Sequence, residues 1–288
     1  MKIKKYFNQR NVLFLLFFGV AICMAYSPMK AIYSSNKSEY YSHIVLIPLV
    51  CIYLIYHKRK WVFGNQEYLF IIGIPLLLFS SLLYFLGSMI KAHLHPNDFA
   101  SLMILSSVIF INGAFILNYG YKAYKAALFP LLFLILIVPI PNALMDHMIN
   151  FLQIGSTEVT NILLLASGVP FTRDGFVFHL PIISVEVAKQ CSGIMSCLAL
   201  FITAVLAGHL FLETGWKKFI LAICVIPIAI FKNGIRITTL SLLANYIDQR
   251  ILESSLHREG GIPFFIFALL LLVPILFFLR KGEKTKVE

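Results

Sequence analysis

Charge is what this chain has least of: 13% of its 288 residues are Asp, Glu, Lys or Arg, against 59% that are hydrophobic. A water-soluble domain of this length needs far more polar surface to cover its core, so lipid is the solvent for most of the chain. There is no CxxC pair, and Cys23, Cys51, Cys191, Cys197 and Cys224 keep no regular spacing, which argues against a disulfide framework or a zinc site. Four of the five lie well inside apolar runs, where a thiol behaves as a small hydrophobe; Cys191 is the exception. A long basic stripe with interleaved stacking aromatics is missing too, so the net charge of +11 points to membrane topology and not to nucleic acid. The A-x-A-like pattern of a cleavage site does not follow Lys2, Lys4, Lys5, Arg10 and the apolar run 12–25, and the N-terminus therefore reads as an uncleaved first span.

What is present is a series of apolar runs, with a mean hydropathy of +0.85 over the chain. A hydrocarbon core about 30 Å thick needs roughly 20 residues of helix. Runs that meet or approach this length begin near Asn11, Tyr41, Tyr68, Phe99, Ala123, Ser192, Trp216 and Ile262. The fold class expected is all-α, a polytopic bundle of about eight transmembrane helices; the runs 41–56 and 216–231 are the shortest. Basic residues alternate between rich and poor connections. Of the 24 Lys and Arg, 15 fall at the N-terminus, at Lys58, Arg59 and Lys60, at Lys122 and Lys125, at Lys217 and Lys218, and at Arg280, Lys281, Lys284 and Lys286. By the positive-inside rule both termini are cytoplasmic. The expected location is the cytoplasmic membrane, with 1–138 as helices one to five, 139–191 as an extracytoplasmic segment and 192–288 as a core with the last three helices.

Three outer segments are too polar to be spans, and functional polar residues belong there. Residues 141–167 mix Asn150, Gln153, Ser156, Thr157, Glu158 and Asn161 with apolar residues at helical spacing, which predicts an amphipathic helix at the interface. Residues 171–186, β-branched and aromatic with a turn at Arg173-Asp174-Gly175, predict a short hairpin. The third segment is 233–261.

Cys191 stands where a polar lead-in gives way to an apolar run, at the outer N-terminus of a membrane helix. A helix N-terminus or a nearby cation lowers a thiol pKa from about 8.5 and so favours a nucleophile. Arg236 sits where the seventh span emerges, flanked by apolar residues; its guanidinium suits a thiolate or the oxyanion of a tetrahedral intermediate. His257 precedes the last span, again on the outer side, and histidine is the usual side chain for moving a proton near neutral pH. Each has a bland reading alone: a buried structural thiol, an interfacial anchor, a solvated loop histidine. Together, a nucleophile, a cation and an acid/base recur at the outer ends of the last three spans. His93 and His95 form a His-x-His pair, but no carboxylate or cysteine completes a metal site, and no cofactor is called for.

These motifs resemble the exosortase and archaeosortase family. The cysteine block is similar to Ala188 through Cys191-Ser192-Gly193-Ile194, the Asn-x-x-Arg block to Asn233-Gly234-Ile235-Arg236-Ile237, and the histidine block to His257 with Gly261. Pro139-Ile140-Pro141 is similar to a proline pair common in the family. Lys189 departs from it, standing where an acidic residue is usual, as does Met195 in place of a polar or basic one. The resemblance implies a membrane cysteine protease or transpeptidase with Cys191, Arg236 and His257 as its catalytic residues. Its partners would be exported proteins bearing a C-terminal sorting signal of motif, transmembrane segment and basic tail. An acceptor, whether water, an amine or a hydroxyl, would resolve a thioester on Cys191. The alternatives are a transporter, or a scaffold of a polysaccharide or protein export system. A transporter predicts ionisable residues in the middle of several spans, and here the polar residues gather at span ends.

Overall fold

In lipid a backbone must satisfy its own polar groups, and for long apolar runs helix is the means. The computed structural model describes residues 9–33, 43–64, 67–252, 261–281 and 283, and is almost wholly helical. Its helices are α1 (Gln9–Tyr33), α2 (His43–His57), α3 (Arg59–Val62), α4 (Phe70–Met89), α5 (Pro96–Ala126), α6 (Leu128–Phe133), α7 (Asn142–Ser167), α8 (Ile194–Phe211), α9 (Gly215–Tyr246) and α10 (Gly261–Arg280). Three short strands, β1 (Thr172–Asp174), β2 (Val177–His179) and β3 (Ser184–Glu186), follow α7. The chain divides into two compact units, Met1–Asn142 and Ala143–Glu288.

In the first unit α5 is the central helix: 72% of its apolar window is buried, against 17% for α1 and for α4, which pack on it. Glycine makes the α4–α5 approach possible. A Cβ on Gly73 would lie 2.4 Å from Leu117 Cβ, and one on Gly113 would lie 2.9 Å from Leu76 Cβ. Where lipid removes the hydrophobic drive between helices, such close backbone packing supplies the association. At the start of α5, Asp98 accepts the Asn142 N–H at 2.6 Å and Asn97 donates to the Ile140 carbonyl at 2.8 Å, which anchors the Pro139–Pro141 segment. The His95 ring caps this helix, its Nδ1 accepting the Asn97 N–H at 3.2 Å.

The second unit holds α7, the strands, and α8, α9 and α10, which pack against one another. Gly208 of α8 lies beside Lys218 of α9, and fifteen residues back on α8 and fifteen on along α9, Gly193 lies beside Asn233. The pair is thus an antiparallel hairpin in constant register. Glu283, just past α10, closes its turn by accepting the backbone N–H groups of Glu213 and Thr214 at 2.9 and 3.1 Å, with Lys217 Nζ at 3.6 Å. These donors hold the Glu283 carboxyl down at about 2. Because the C-terminal end of α10 is fixed at the α8–α9 turn, its first residues, about 30 Å away, open at the opposite end of the bundle.

Among the described residues six helices are long and apolar enough to cross a membrane, and a seventh span is counted if Leu128–Ile137 and Asn142–Ser167 form one broken crossing. Two of the eight expected runs form helices shorter than this length. Run 41–56 becomes α2, whose 15 residues extend about 22 Å. The run from Ala123 is short because α5 carries on past a kink at Gly120 (φ 81) to take in Lys122 and Lys125, and the helix after it stops at Ile137, ahead of two prolines. Conversely, α9 does not end near Phe231. It runs for 32 residues, about 48 Å, so residues 233–246 of the expected third outer segment are helical. Several of their polar groups find partners inside the unit. Asn233 donates to Ser156, Thr238 to the Gly234 carbonyl, and Asn245 Oδ1 accepts the Ile182 N–H.

Candidate active site

Two features of the local sequence end the lead-in and start α8. Residues Lys189–Cys191 form a single 3-10 turn in which the Cys191 N–H donates to the Ala188 carbonyl at 2.8 Å. Gly193 then takes the left-handed conformation (φ 79), and α8 begins at Ile194. A side chain at 193 is disfavoured twice over: left-handed backbone strains it, and its Cβ would lie 3.0 Å from Asn233 Cγ, close enough that Asn233 must give way slightly. Cys191 is half-buried and has no disulfide.

Asn233, wholly buried on α9, faces this turn. Its amide nitrogen donates one hydrogen to the Cys191 carbonyl at 2.8 Å and the other to Ser156 Oγ at 3.0 Å. Both donors are used, and flipping the amide would set Oδ1 against the Cys191 carbonyl, so the orientation is determined by its partners. Arg236, half-buried, follows one turn later on α9. Because Asn233 bonds the Cys191 carbonyl, the helix turn that bears Arg236 lies next to the Cys191 turn. From Gly215, Arg236 is about 31 Å along the helix axis, a full hydrocarbon thickness from the α8–α9 turn. The structure therefore brings the Cys191 and Arg236 segments together at one end of the bundle. His257 lies outside the described residues; Gly261, four positions later, opens α10 at that same end.

Helix α7 supplies the wall. It is amphipathic, as its spacing predicts, but with the usual sense of a soluble helix reversed: Gln153, Ser156, Thr157 and Thr160 are buried while Phe151, Ile154, Ile162 and Leu165 are exposed. The polar stripe faces α9 instead of water. Gly155 lies against Ile230 and Val159 against Gly234, so α7 and α9 run side by side in the same direction. Gln153 donates to the Val187 carbonyl at 2.6 Å and so holds the strand leading to Cys191.

The expected hairpin is present and is extended by a third strand into a β1-β2-β3 meander, with Gly175 and Phe176 as the first turn and Arg173 and Asp174 in β1. Its apolar side, Phe178, Leu180 and Val187, packs with Leu164 of α7 and Ile237 of α9. This caps the Arg236 end of the bundle. Arg173 reaches back to α7 in a two-point ion pair with Glu158, at 2.7 and 3.1 Å.

Sequence reasoning missed Lys232. It is 2% exposed, one turn before Arg236, and its ammonium donates to Ser196 Oγ at 2.6 Å. The signal was available: positions 232 and 236 are four apart and share a helix face. Ser156 was noted only as a polar residue of an interfacial helix, and its part in holding Asn233 depends on a contact 77 residues away. Two buried polar atoms beside Cys191, Ser192 Oγ and Asn233 Oδ1, have no hydrogen-bond partner among the described residues. Such atoms are few in native proteins, and a site completed by substrate or water is one place they belong.

A family model described as transmembrane exosortase matches residues 32–274, more than four fifths of the chain. The chain belongs to the transmembrane exosortase family. No curated protein and no solved structure matches it. This exosortase is thus a multi-pass membrane protein of a family of cysteine peptidases and transpeptidases that process exported proteins with C-terminal sorting signals. The match takes in the cysteine block, the Asn233–Arg236 block and His257.

Proposed function

We propose that this exosortase cleaves C-terminal sorting signals through a thioester on Cys191, with Arg236 and His257 as its other catalytic residues, on the extracytoplasmic side of the membrane. The observation that carries this reading is the hydrogen bond from Asn233 to the Cys191 carbonyl, which fixes the turn of the nucleophile against the helix turn that bears Arg236. The Cys191 thiolate attacks the scissile carbonyl, and the oxyanion that forms is neutralised by the Arg236 guanidinium. The C–N bond then breaks, His257 gives a proton to the leaving amine, and the released fragment carries the substrate's anchor and basic tail. Water, an amine or a hydroxyl attacks the thioester, passes its proton to His257 and displaces the Cys191 thiolate, which restores the starting pair of thiolate and protonated His257.

Orientation follows from charge. Lys217 and Lys218 open α9, Arg280 and Lys281 close α10, and both clusters lie at the Glu283 end, opposite Cys191. By the positive-inside rule that end is cytoplasmic and Cys191 is outside.

The test expresses Cys191→Ala, Arg236→Ala and His257→Ala beside the native protein and follows on gels the size of a reporter ending in a sorting motif, an apolar helix and a basic tail. The reporter is chosen because the native enzyme shortens it. Each variant is expected to leave it unprocessed or slowed by about a hundredfold or more. Continued processing by a well-expressed Cys191→Ala protein rules the mechanism out.

A further inference from the structure

We propose that the outward edge of β3 is a docking strand on which an extended peptide of the sorting signal pairs, main chain to main chain, beside Cys191. This rests on the reading of Cys191 as nucleophile and adds the means by which substrate reaches it.

The backbone pattern defines the edge. Leu180 N–H donates to the Ile183 carbonyl at 2.8 Å and Val187 N–H to the Phe176 carbonyl at 2.9 Å, with Phe178 opposite Val185 between them. Ile183, Val185 and Val187 therefore direct their backbone groups toward β2. In an antiparallel ribbon the alternate residues, Ser184 and Glu186, direct theirs the other way. Among the described residues no strand lies on that side, since the sheet order ends at β3, and neither residue's backbone makes a hydrogen bond there. Both residues are exposed.

Open strand edges are hazards that proteins commonly block with proline, lysine or a bulge. β3, Ser184-Val185-Glu186, is short and carries one charge, at Glu186, but it has neither proline nor lysine, and its register with β2 is unbroken. The meander is also held at fixed height over the site, by its apolar side against α7 and α9 and by Gln153 on Val187. From Glu186 the chain runs five residues to Cys191, at most about 17 Å when extended. A peptide lying along this edge meets the thiol within roughly five residues of its paired segment. Pairing of this kind recognises the main chain, tolerates varied side chains and requires an extended, unfolded stretch, as a segment between a folded domain and a membrane anchor would supply.

The experiment uses the full-length protein in membrane vesicles and the reporter defined above. Glu186→Pro and Ser184→Pro each remove one outward N–H at an edge position that tolerates proline; Glu186→Gln and Ser184→Ala keep the backbone and serve as controls. The proline variants are expected to raise KM about tenfold with little change in kcat, to leave iodoacetamide alkylation of Cys191 at the native rate, and to differ clearly from the controls. Native KM in both proline variants, or equal loss in Glu186→Gln, overturns the proposal. A synthetic peptide of the reporter's sorting region, N-methylated one residue at a time, gives a reading independent of mutant folding. Loss at every second position within about five residues of the scissile bond supports docking; loss at none, or at all equally, refutes it. Processing by Cys191→Ala would instead refute the nucleophile assignment, whatever the proline variants do.

Discussion

Asn233 Nδ2 donates to the carbonyl oxygen of Cys191 at 2.8 Å, and through this bond the second helix of a hairpin holds the turn that precedes the first. The contact joins residues 42 apart and lies one helical turn from Arg236. Asn233→Ala removes both amide donors and leaves the Cys191 carbonyl and Ser156 hydroxyl without them, a loss of about 1–3 kcal/mol. Reporter processing is expected to fall on the order of tenfold or more at unchanged membrane abundance. Asn233→Asp, which sets a carboxylate against that carbonyl, should be worse than alanine. Native rates in both variants would show that the contact does not position the nucleophile.

Gly193→Ala places a Cβ on left-handed backbone and 3.0 Å from Asn233 Cγ. The backbone alone costs about 1–2 kcal/mol. The expected outcome is a slower rate of Cys191 alkylation together with lost processing, because the turn and Asn233 must both shift. Alkylation and processing both at native rates would contradict this.

The packing of α7 on α9 predicts a rescue. A Cβ on Gly234 would lie 2.4 Å from Val159 Cγ1 and 2.7 Å from its Cβ, so Gly234→Ala should lower Tm and processing. Val159→Gly clears both atoms and should restore much of the loss in the double variant, a coupling measured by the four-member cycle. Additive losses would mean the two helices are not in contact there.

How much of this was legible in the sequence depends on where each residue's partner lies. Local signals read well: the apolar runs, the lead-in to Cys191, the helical spacing of 141–167 and the strand character of 171–186. The helix limits differ from the expected ones where hydropathy alone set them. Lys122 and Lys125 looked like a connection but extend α5 beyond Gly120, and Asn233, Thr238 and Asn245 looked like loop but continue α9. Asn233 and Asn245 are satisfied by residues far away in the chain and Thr238 by a carbonyl of its own helix, which hydropathy does not encode. The inward direction of Gln153, Ser156, Thr157 and Thr160 was hidden for the same reason: an amphipathic stripe gives a period, and only the neighbouring helix tells which face is covered.

Glu283 gives a pH prediction. Its carboxyl is held at about 2 in the folded protein, below the ordinary 4.5, so its bonds to Glu213 and Thr214 favour the closed hairpin at any pH above 4.5. That contribution is lost as pH falls from 4.5 through about 2. Hydrogen exchange at the Glu213 and Thr214 amides should accelerate, relative to α8 interior amides, over this window, and Glu283→Gln should remove the pH dependence. Dependence that persists in Glu283→Gln would assign it to another group.

Topology is checked by labelling. An engineered cysteine beside His257 should react with a membrane-impermeant maleimide added outside, and one beside Lys217 should react only after the membrane is opened. The opposite pattern would place the Cys191 end in the cytoplasm.

The most direct test of Cys191 as nucleophile is to isolate the enzyme during turnover of the reporter and examine Cys191 by mass spectrometry with and without hydroxylamine. A hydroxylamine-sensitive adduct is predicted on Cys191, its mass that of the reporter truncated at the cleavage site and its amount reduced in Arg236→Ala. Full processing with no adduct, by native enzyme and by Cys191→Ala alike, would contradict the account.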